Sequence, residues 1–212
     1  MSEAFVTQTR SGVRVGGEVT TKDLRRAGFP FRSGRICLDF VATVAKRRLG
    51  DRELLPGPDE LRTWCRVAGL PEPEDEITPD LLGGAHALRE ALYRLARARV
   101  DGTTHPAADI ETVNAAAVAA AAPPTALLGA DGFTAVPCDG SSLAGILALI
   151  ARDAIDLLTG PYALRIRECT AHDCSLFFVD RSRPGSRRWC TMASCGEKAS
   201  SAKYRQRHPG YH

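Results

Sequence analysis

The sequence lacks the motifs of the common nucleotide-binding and hydrolytic enzymes. It has no P-loop, no Gly-rich dinucleotide fingerprint, no H-E-x-x-H and no G-x-S-x-G. His86 and His105 have no evident nucleophile as a partner, and a single histidine is usually a surface or core residue. We therefore expect that the protein is not an enzyme.

Long hydrophobic runs are also missing. No apolar stretch approaches the roughly 20 residues that a helix needs to span a bilayer, so we expect no membrane contact. The chain begins without a signal peptide, which favours a cytoplasmic location where thiols stay reduced. Of the seven cysteines, Cys37, Cys65 and Cys138 are then expected to be reduced thiols in or near the core.

Length and composition are ordinary for a globular protein. The chain has 212 residues, which is enough for one sizeable core and a small additional module. Its residues are 44% hydrophobic and 25% charged. We predict a mainly α protein with small β-hairpins (α+β). Its predicted parts are a flexible N-terminus over residues 1–20, a helical domain over 21–161 and a small module over 162–212.

Apolar residues spaced three and four apart predict the helices. The longest helix begins at Thr78, and its arginines (Arg89, Arg94, Arg97 and Arg99) are expected to face solvent. Asp39 interrupts an apolar run, so we expect it to act as a cap or to pair with Arg35. An Asp-Gly turn at Asp131 predicts a β-hairpin. The predicted helices cover residues 36–45, 59–68, 78–101, 107–122 and 143–158, and a last one ends at about 207.

Four of the cysteines form two pairs near the C-terminus. Each pair has four residues between its members, and fifteen residues separate the pairs. Two thiolates from each of two tight turns can converge on one ion, and thiolate ligands favour zinc. Four protein ligands leave no open coordination position, so the spacing predicts one structural Zn²⁺. The predicted ligands are Cys169, Cys174, Cys190 and Cys195.

Other interpretations of these cysteines stay open at this point. Disulfides would need an oxidising compartment, and unrelated buried thiols are common. His172 lies inside the first pair and could replace one cysteine as a ligand. A redox switch that releases the zinc is a further alternative, because the thiolates lie near arginines.

Positive charge is concentrated at the C-terminal end. Residues 165–212 hold ten Lys and Arg against four Asp and Glu, whereas residues 1–164 hold eighteen against twenty-one. A basic module beside a mildly acidic domain indicates a polyanionic partner, and a solubilising basic tail is the alternative. The predicted nucleic-acid contacts are Arg181, Arg183, Arg187, Arg188, Lys198, Lys203, Arg205 and Arg207.

Further residues accompany the four cysteines in a recognisable pattern. The pattern is Cys169-x4-Cys174, Leu176-Phe177-Phe178-Val179-Asp180, Ser182-Arg183 and Arg187-Arg188-Trp189-Cys190-x-Met192-x-x-Cys195-Gly196, with Gly34-Arg35-x-Cys37-Leu38-Asp39-Phe40-Val41 and Thr43-Val44 upstream. The predicted elements of the C-terminal part follow in the order knuckle, hairpin and helix, as in treble-clef and zinc-ribbon-like modules. This C-terminal motif resembles the CGNR zinc finger, and the residues upstream look like the ABATE domain. The pair of resemblances implies a stress-induced transcription regulator that binds DNA.

The sequence departs from the family pattern at three positions. Glu197 and Lys198 replace the Asn and Arg of the tetrapeptide that names the finger, and Ala42 stands where the family tends to carry Asn. Lys198 keeps the charge but loses the bidentate geometry of arginine, and Glu197 places a negative charge beside any phosphate. The arginine-rich segment before Cys190 is therefore the better candidate for contacting nucleic acid.

Two functions are consistent with these features. The first is a zinc-containing DNA-binding transcription regulator, whose N-terminal domain senses a small-molecule effector or forms a homodimer. The alternative is a non-enzymatic module that docks on protein or RNA through a structural zinc finger.

Overall fold

The computed structural model describes residues 25–120, 126–128, 135–137 and 141–208. Helices dominate this part of the chain, and short strands connect them, which confirms the predicted α+β class. The helices are α1 (Ile36–Val41), α2 (Pro58–Ala68), α3 (Pro79–Asp101), α4 (Ala107–Val118), α5 (Leu143–Thr159) and α6 (Glu197–Arg207). The strands are β1 (Arg25–Arg26), β2 (Phe29–Pro30), β3 (Val44–Ala45), β4 (Arg52–Glu53), β5 (Ala126–Leu128), β6 (Ala135–Pro137), β7 (Ile166–Glu168) and β8 (Phe177–Val179).

The strands form four antiparallel ladders, each between strands that follow one another in the described sequence. The pairing of β5 with β6 confirms the hairpin, whereas its predicted turn at Asp131 lies outside the described residues. Cys138 and the predicted flexible N-terminus, residues 1–20, also lie outside them. None of the described helices is long and apolar enough to cross a membrane.

Local sequence signals set the ends of the longer helices. The side chains of Thr78 and Ser142 cap the first turns of α3 and α5 by accepting a backbone N–H bond. Gly69 and Gly102 end α2 and α3 with φ angles of 76° and 68°, in the left-handed region that glycine tolerates. These boundaries agree with the predictions.

The first and fourth helices are shorter than predicted. The run expected to stay helical to residue 45 leaves the helix after Val41, and β3 then pairs with β4. The Thr43 hydroxyl donates locally to the Phe40 carbonyl at 2.7 Å. The Thr43 carbonyl instead accepts from Leu54 N–H at 2.9 Å, so a hydrogen bond with another segment replaces a helical one. Helix α4 ends at Val118 rather than at residue 122.

The main hydrophobic core is formed by residues of α1, α2, α3, α4 and α5. Trp64 at its centre packs against Phe40, with ring centroids 5.1 Å apart. Three residues of the C-terminal hairpin, Ile166, Phe177 and Val179, belong to this same core. Residues of the predicted C-terminal module therefore complete the core of the helical domain.

A second, smaller core lies on the opposite face of β8. Side chains alternate between the two faces of a strand, so Phe178 points away from its neighbours Phe177 and Val179. It packs with Ala42, Leu176 and the four cysteines of the C-terminal pairs. Strand β8 thus contributes to both cores.

The prediction that the arginines of α3 face solvent is wrong for Arg89. Only 3% of the Arg89 surface is exposed to solvent. Its Nη1 and Nη2 donate to the two carboxylate oxygens of Glu53, at 2.7 and 2.6 Å. Arg94 pairs with the buried Asp109, and Arg97 is half-buried against Glu168. These carboxylates come from other segments, and they make burial of the arginine charge tolerable.

Asp39 acts as a cap for the chain before α1. Its Oδ1 accepts from the backbone N–H groups of Arg32 and Ser33, both at 3.1 Å. Arg35, its predicted partner, binds two carboxylates of α5, with Nε–Oδ1 of Asp153 at 2.8 Å and Nη2–Oδ2 of Asp156 at 2.7 Å. The capping interpretation of Asp39 agrees with the structure, and α1 is joined to α5 through Arg35.

Candidate metal centre

The four C-terminal cysteines converge in one buried cluster. Their Sγ atoms all lie within 4.8 Å of one another, and we call this group the cysteine cluster. Two measured separations are 3.5 Å between Cys190 and Cys195 and 4.0 Å between Cys174 and Cys190. All four side chains are free thiols, so the disulfide alternative does not describe this structure.

Two backbone turns place the thiols. Cys169 follows directly after β7, and the first turn closes where Cys174 N–H donates to the Ala171 carbonyl at 3.1 Å. Cys190 precedes one π-helical turn, Met192–Gly196, and Cys195 lies within that turn, which leads directly into α6. The backbone N–H of Cys190 donates to Cys169 Sγ at 3.5 Å and so links the two turns.

Electrostatics in the cluster favour a bound cation. Side-chain hydrogen bonds from Cys174, Cys190 and Cys195 lower the pKa of Cys169, so its thiolate is favoured. The hydrogen bond to Cys169 raises the pKa of Cys174, and burial adds to that effect. A buried thiolate among three further sulfur ligands is costly unless a metal ion compensates its charge.

The geometry fits one tetrahedral zinc ion. With Zn–S bonds of about 2.3 Å, the edges of a tetrahedron of sulfurs are about 3.8 Å, close to the separations in the cluster. His172 is exposed and is not part of the cluster, so the cysteines supply all four ligands. Four thiolates leave no coordination position for a substrate, and the predicted cofactor, one structural zinc, is confirmed.

Arg187 supports the second cysteine pair. Its Nη2 donates to the Cys190 carbonyl at 2.6 Å, and its guanidinium carbon lies 4.9 Å from the centroid of the Phe178 ring. Its backbone N–H donates to Oδ2 of Asp180 at 2.9 Å. Arg187 therefore positions the cysteine cluster as well as contributing a surface charge.

Asp180 is a fully buried carboxylate that orders the arginine-rich loop. Its Oδ1 accepts from the backbone N–H and the hydroxyl of Ser182, at 2.9 and 2.6 Å. Burial raises the pKa of Asp180, but the hydrogen bonds from Ser182 and from the Arg187 backbone outweigh burial and leave the pKa below its ordinary value. Asp180 is consequently ionised at neutral pH and holds both ends of the loop.

Arg48 and Glu168 join the cluster to the helical domain. Arg48 Nη1 donates to the Cys174 carbonyl at 3.2 Å, and its Nη2 lies 2.7 Å from Oε2 of Glu168. Glu168 also accepts two bonds from Arg97 of α3, at 2.9 and 2.6 Å. Sequence reasoning missed this bridge, because nothing near Arg48 in the sequence indicates a partner more than a hundred residues away.

The eight predicted nucleic-acid residues are all exposed, but half of them have contacts within the protein. Lys198 Nζ lies 3.0 Å from Oδ2 of Asp173, Arg181 donates to the Gly34 carbonyl, and Arg188 lies over the ring of Trp189. Arg187 has the contacts described above. Within the described part of the chain, the side chains of Arg183, Lys203, Arg205 and Arg207 make no hydrogen bond or ion pair.

Helix α6 carries three of these four unpaired cations. It has no buried residue, and its eleven residues include four basic and one acidic side chain. Its main contact is with the π-helical turn Met192–Gly196 that precedes it. The zinc site therefore holds one end of a basic helix that is otherwise exposed.

Comparison with known families gives two matches in this order along the chain. Residues 34–161 match the ABATE family, whose description is "Putative stress-induced transcription regulator". Residues 165–208 match the CGNR zinc finger. A search of curated proteins found no match to the chain. Both matches confirm the resemblance inferred from the sequence motifs.

Proposed function

Because the chain belongs to the ABATE family and ends in a CGNR zinc finger, we propose that it is a zinc-dependent transcription regulator that binds DNA through α6. In this proposal the zinc has a structural role, fixing the π-helical turn from which α6 begins. The observation that supports the proposal most directly is the state of α6, a basic helix without a buried face.

A helix with no buried face needs another source of stability. Isolated helices shorter than about 12–15 residues are marginal in water, and α6 has eleven residues. Its first turn is held by the zinc site and by the Lys198–Asp173 ion pair. Lys203, Arg205 and Arg207 lie farther along the helix and have no ion partner in the described residues. A polyanion would neutralise these charges and stabilise the last two turns.

The arrangement of charge along α6 suits the major groove of DNA. Lys203 and Arg207 are four residues apart and share one side of the helix, whereas Lys198 and Arg205 lie on another. The major groove is wide enough for an α-helix and has phosphates on both walls. Cations on two sides of the helix can therefore reach both walls.

The arginine-rich loop before Cys190 provides further contacts in this proposal. Arg183 and Arg188 are exposed, and their side chains make no hydrogen bond within the described residues, so they are available for phosphates. Arg187 is bound to the Cys190 carbonyl, and we assign it a positioning role. Sequence reasoning grouped these three arginines together, and their contacts now distinguish them.

The proposed role is non-enzymatic, and it includes an effector-sensing helical domain. Saturation of the zinc by four thiolates supports a structural metal rather than a catalytic one. The homodimer stays a prediction that sedimentation equilibrium of the zinc-loaded chain would test. A monomer at all protein concentrations would contradict it.

DNA capture with a matched pair of variants tests the proposal. The zinc-loaded chain is expected to recover sheared genomic DNA above background at moderate salt. The α6 double variant Arg205→Gln/Arg207→Gln should lose most of that recovery. The control double variant Arg66→Gln/Arg167→Gln removes the same charge from exposed residues elsewhere and should retain it. Equal loss in both variants, or no recovery by the unmodified chain, would contradict the proposal.

Two exposed side chains favour a second candidate, docking on RNA or protein. Met192 lies in the π-helical turn Met192–Gly196, and its surface is 61% exposed. Tyr204 lies in α6, and its surface is 55% exposed. An aromatic ring on a basic helix can stack on an unpaired base. If single-stranded RNA is captured in preference to duplex DNA, and Tyr204→Ser abolishes the capture, this second function replaces the first.

A further inference from the structure

A cleft lies between the zinc finger and the N-terminal segment of the helical domain. Its volume is about 490 Å³. Arg32 and Arg52 line it from the domain side, whereas Ser175, Ser194 and Lys198 line it from the finger side. We call it the junction cleft. Small-molecule sites typically measure roughly 300–1,000 Å³, so its size is that of a ligand site.

Cations outnumber carboxylates in the lining of the junction cleft. Among the described residues, Arg32, Lys46, Arg52 and Lys198 line it, with Asp173 as the one carboxylate. Asp173 is already paired with Lys198 at 3.0 Å. Within the described residues, Arg32, Lys46 and Arg52 have no carboxylate at ion-pair distance. Cys174 and Cys195 also line the cleft, and a zinc ion bound by four thiolates carries a net negative charge that offsets part of this excess on the finger side. On the domain side, Arg32, Lys46 and Arg52 create a site for an anion.

Arg32 gives a second, independent indication of a ligand. Its side chain is half-buried, and its Nη1 donates to Ser194 Oγ at 2.9 Å across the cleft. Its Nε is buried and has no hydrogen-bond acceptor in the described part of the chain. A buried charged donor without an acceptor is costly, and a small movement of the Arg32 side chain would let this N–H donate to an acceptor on a bound molecule.

The remaining wall of the junction cleft is apolar. Pro30, Ala45, Leu54 and Leu176 line it beside the cations. A ligand that fits both surfaces has an anionic group and an apolar body. We propose that the junction cleft binds a small phosphate ester whose phosphate contacts Arg32, Lys46 and Arg52 and whose organic group packs on Leu54 and Leu176.

The shape of the site favours a small molecule over the backbone of DNA. A duplex carries its phosphates along an outer ridge that contacts surface cations, whereas Arg32 Nε lies below the surface. The occupant would also lie at the base of α6, because Lys198 belongs to its first turn. Binding in the junction cleft does not require that α6 binds DNA.

Calorimetric titration of the full zinc-loaded chain tests the proposal with three probes. Phenyl phosphate is expected to bind more tightly than orthophosphate, because only phenyl phosphate reaches the apolar wall, and phenol is expected not to bind. Arg52→Gln should weaken phenyl phosphate binding about tenfold, the usual scale for one hydrogen bond to a charged group. The matched control Arg167→Gln, also exposed but outside the cleft, should bind as the unmodified chain does.

A second readout locates the anion at Arg32. In the ¹H–¹⁵N spectrum, the Nε–H resonance of Arg32 should shift on addition of phenyl phosphate and disappear in Arg32→Lys. Unchanged zinc content and unfolding temperature establish that the variants are folded. The proposal is overturned if phenyl phosphate does not bind at millimolar concentration, or if Arg52→Gln binds it normally. It is also overturned if duplex DNA displaces the probe and Arg52→Gln weakens DNA binding equally.

Discussion

Phe177 and Phe178 are neighbours in β8, yet they are buried in different cores. Phe177 packs in the helical core, with its ring centroid 5.6 Å from that of Tyr93, and Phe178 packs against the cysteine cluster. Both side chains are essentially inaccessible, at 1% and 0% exposure. One strand thus connects the zinc site with the helical domain, and a change at one side should affect the other.

Loss of the zinc should disorder the finger and weaken the helical domain. We expect about one zinc per chain in the unmodified protein, and none in Cys190→Ser because a ligand is missing. Most of the helical circular dichroism should remain, since five of the six described helices precede the cysteines. The unfolding temperature should fall as well, because β8 loses its order on one face.

Elemental analysis and thermal unfolding check this prediction together. The conservative core variant Leu92→Met serves as a control that keeps all four ligands. A metal-free chain with an intact finger would contradict the zinc assignment.

Truncating each phenylalanine of β8 in turn should distinguish the contributions of the two cores. Phe177→Ala and Phe178→Ala should each cost about 3–5 kcal/mol locally, the usual range for a buried phenylalanine. Phe178→Ala should speed release of zinc to a chromogenic chelator, whereas Phe177→Ala should mainly lower the urea midpoint of the helical domain. Equal effects of both variants on zinc release would show that the two faces are not distinct.

The cysteine cluster could be predicted from the sequence because metal-ligand spacing is local. Each pair needs only one turn between its members, and the spacing of Cys169 and Cys174 already shows this. The N-cap Thr78 and the helix-ending glycine Gly102 could be predicted for the same reason, because each depends only on its neighbours in the sequence.

Interactions between distant segments could not be predicted in this way. Arg89 occupies a helix position that the periodicity assigned to solvent, and Glu53, thirty-six residues earlier, makes its burial possible. Arg187 was predicted to contact nucleic acid on charge alone, and its bond to the Cys190 carbonyl appears only in three dimensions. The junction cleft has no sequence signal, because its cations come from separate segments of the chain.

The ion pair between buried Arg89 and partly exposed Glu53 should make stability depend on pH. Burial raises the pKa of Glu53, but the hydrogen bonds from Arg89 outweigh it and hold the pKa below its ordinary 4.5. A lowered pKa in the folded state stabilises the protein above the pKa of the unfolded state, and this contribution is lost as pH falls through the folded value.

Glu53→Gln should therefore cost about 2 kcal/mol at neutral pH, a figure reduced for the partial exposure of Glu53. The difference from the unmodified chain should shrink as the pH falls below about 4.5. Urea unfolding at a series of pH values measures this difference. Glu76→Gln, at an exposed residue with no ion pair in the described structure, should show none. A difference that does not change with pH would contradict the ion-pair explanation.

Two neighbouring arginines should respond differently to truncation. Arg187→Ala removes the bond to the Cys190 carbonyl, so we expect a loss of about 1–2 kcal/mol and faster zinc release. Arg188→Ala leaves zinc release unchanged, since its guanidinium lies over Trp189 and has no hydrogen bond in the described structure, and it should weaken only DNA binding. Paired assays of zinc release and DNA affinity check both outcomes, and faster zinc release from Arg188→Ala than from Arg187→Ala would refute the assignment.

The salt dependence of duplex DNA binding tests the role of α6 most directly. Each phosphate neutralised in B-DNA contributes about 0.9 to the slope of log K against log salt. Fluorescence anisotropy with the zinc-loaded chain should therefore give a slope that is shallower by about 1.8 in Arg205→Gln/Arg207→Gln. The slope of the control Arg66→Gln/Arg167→Gln should stay unchanged. A zinc-loaded chain with no measurable affinity for DNA, or equal slopes in the α6 variant and the unmodified chain, would contradict the assignment of α6 as the DNA-binding element.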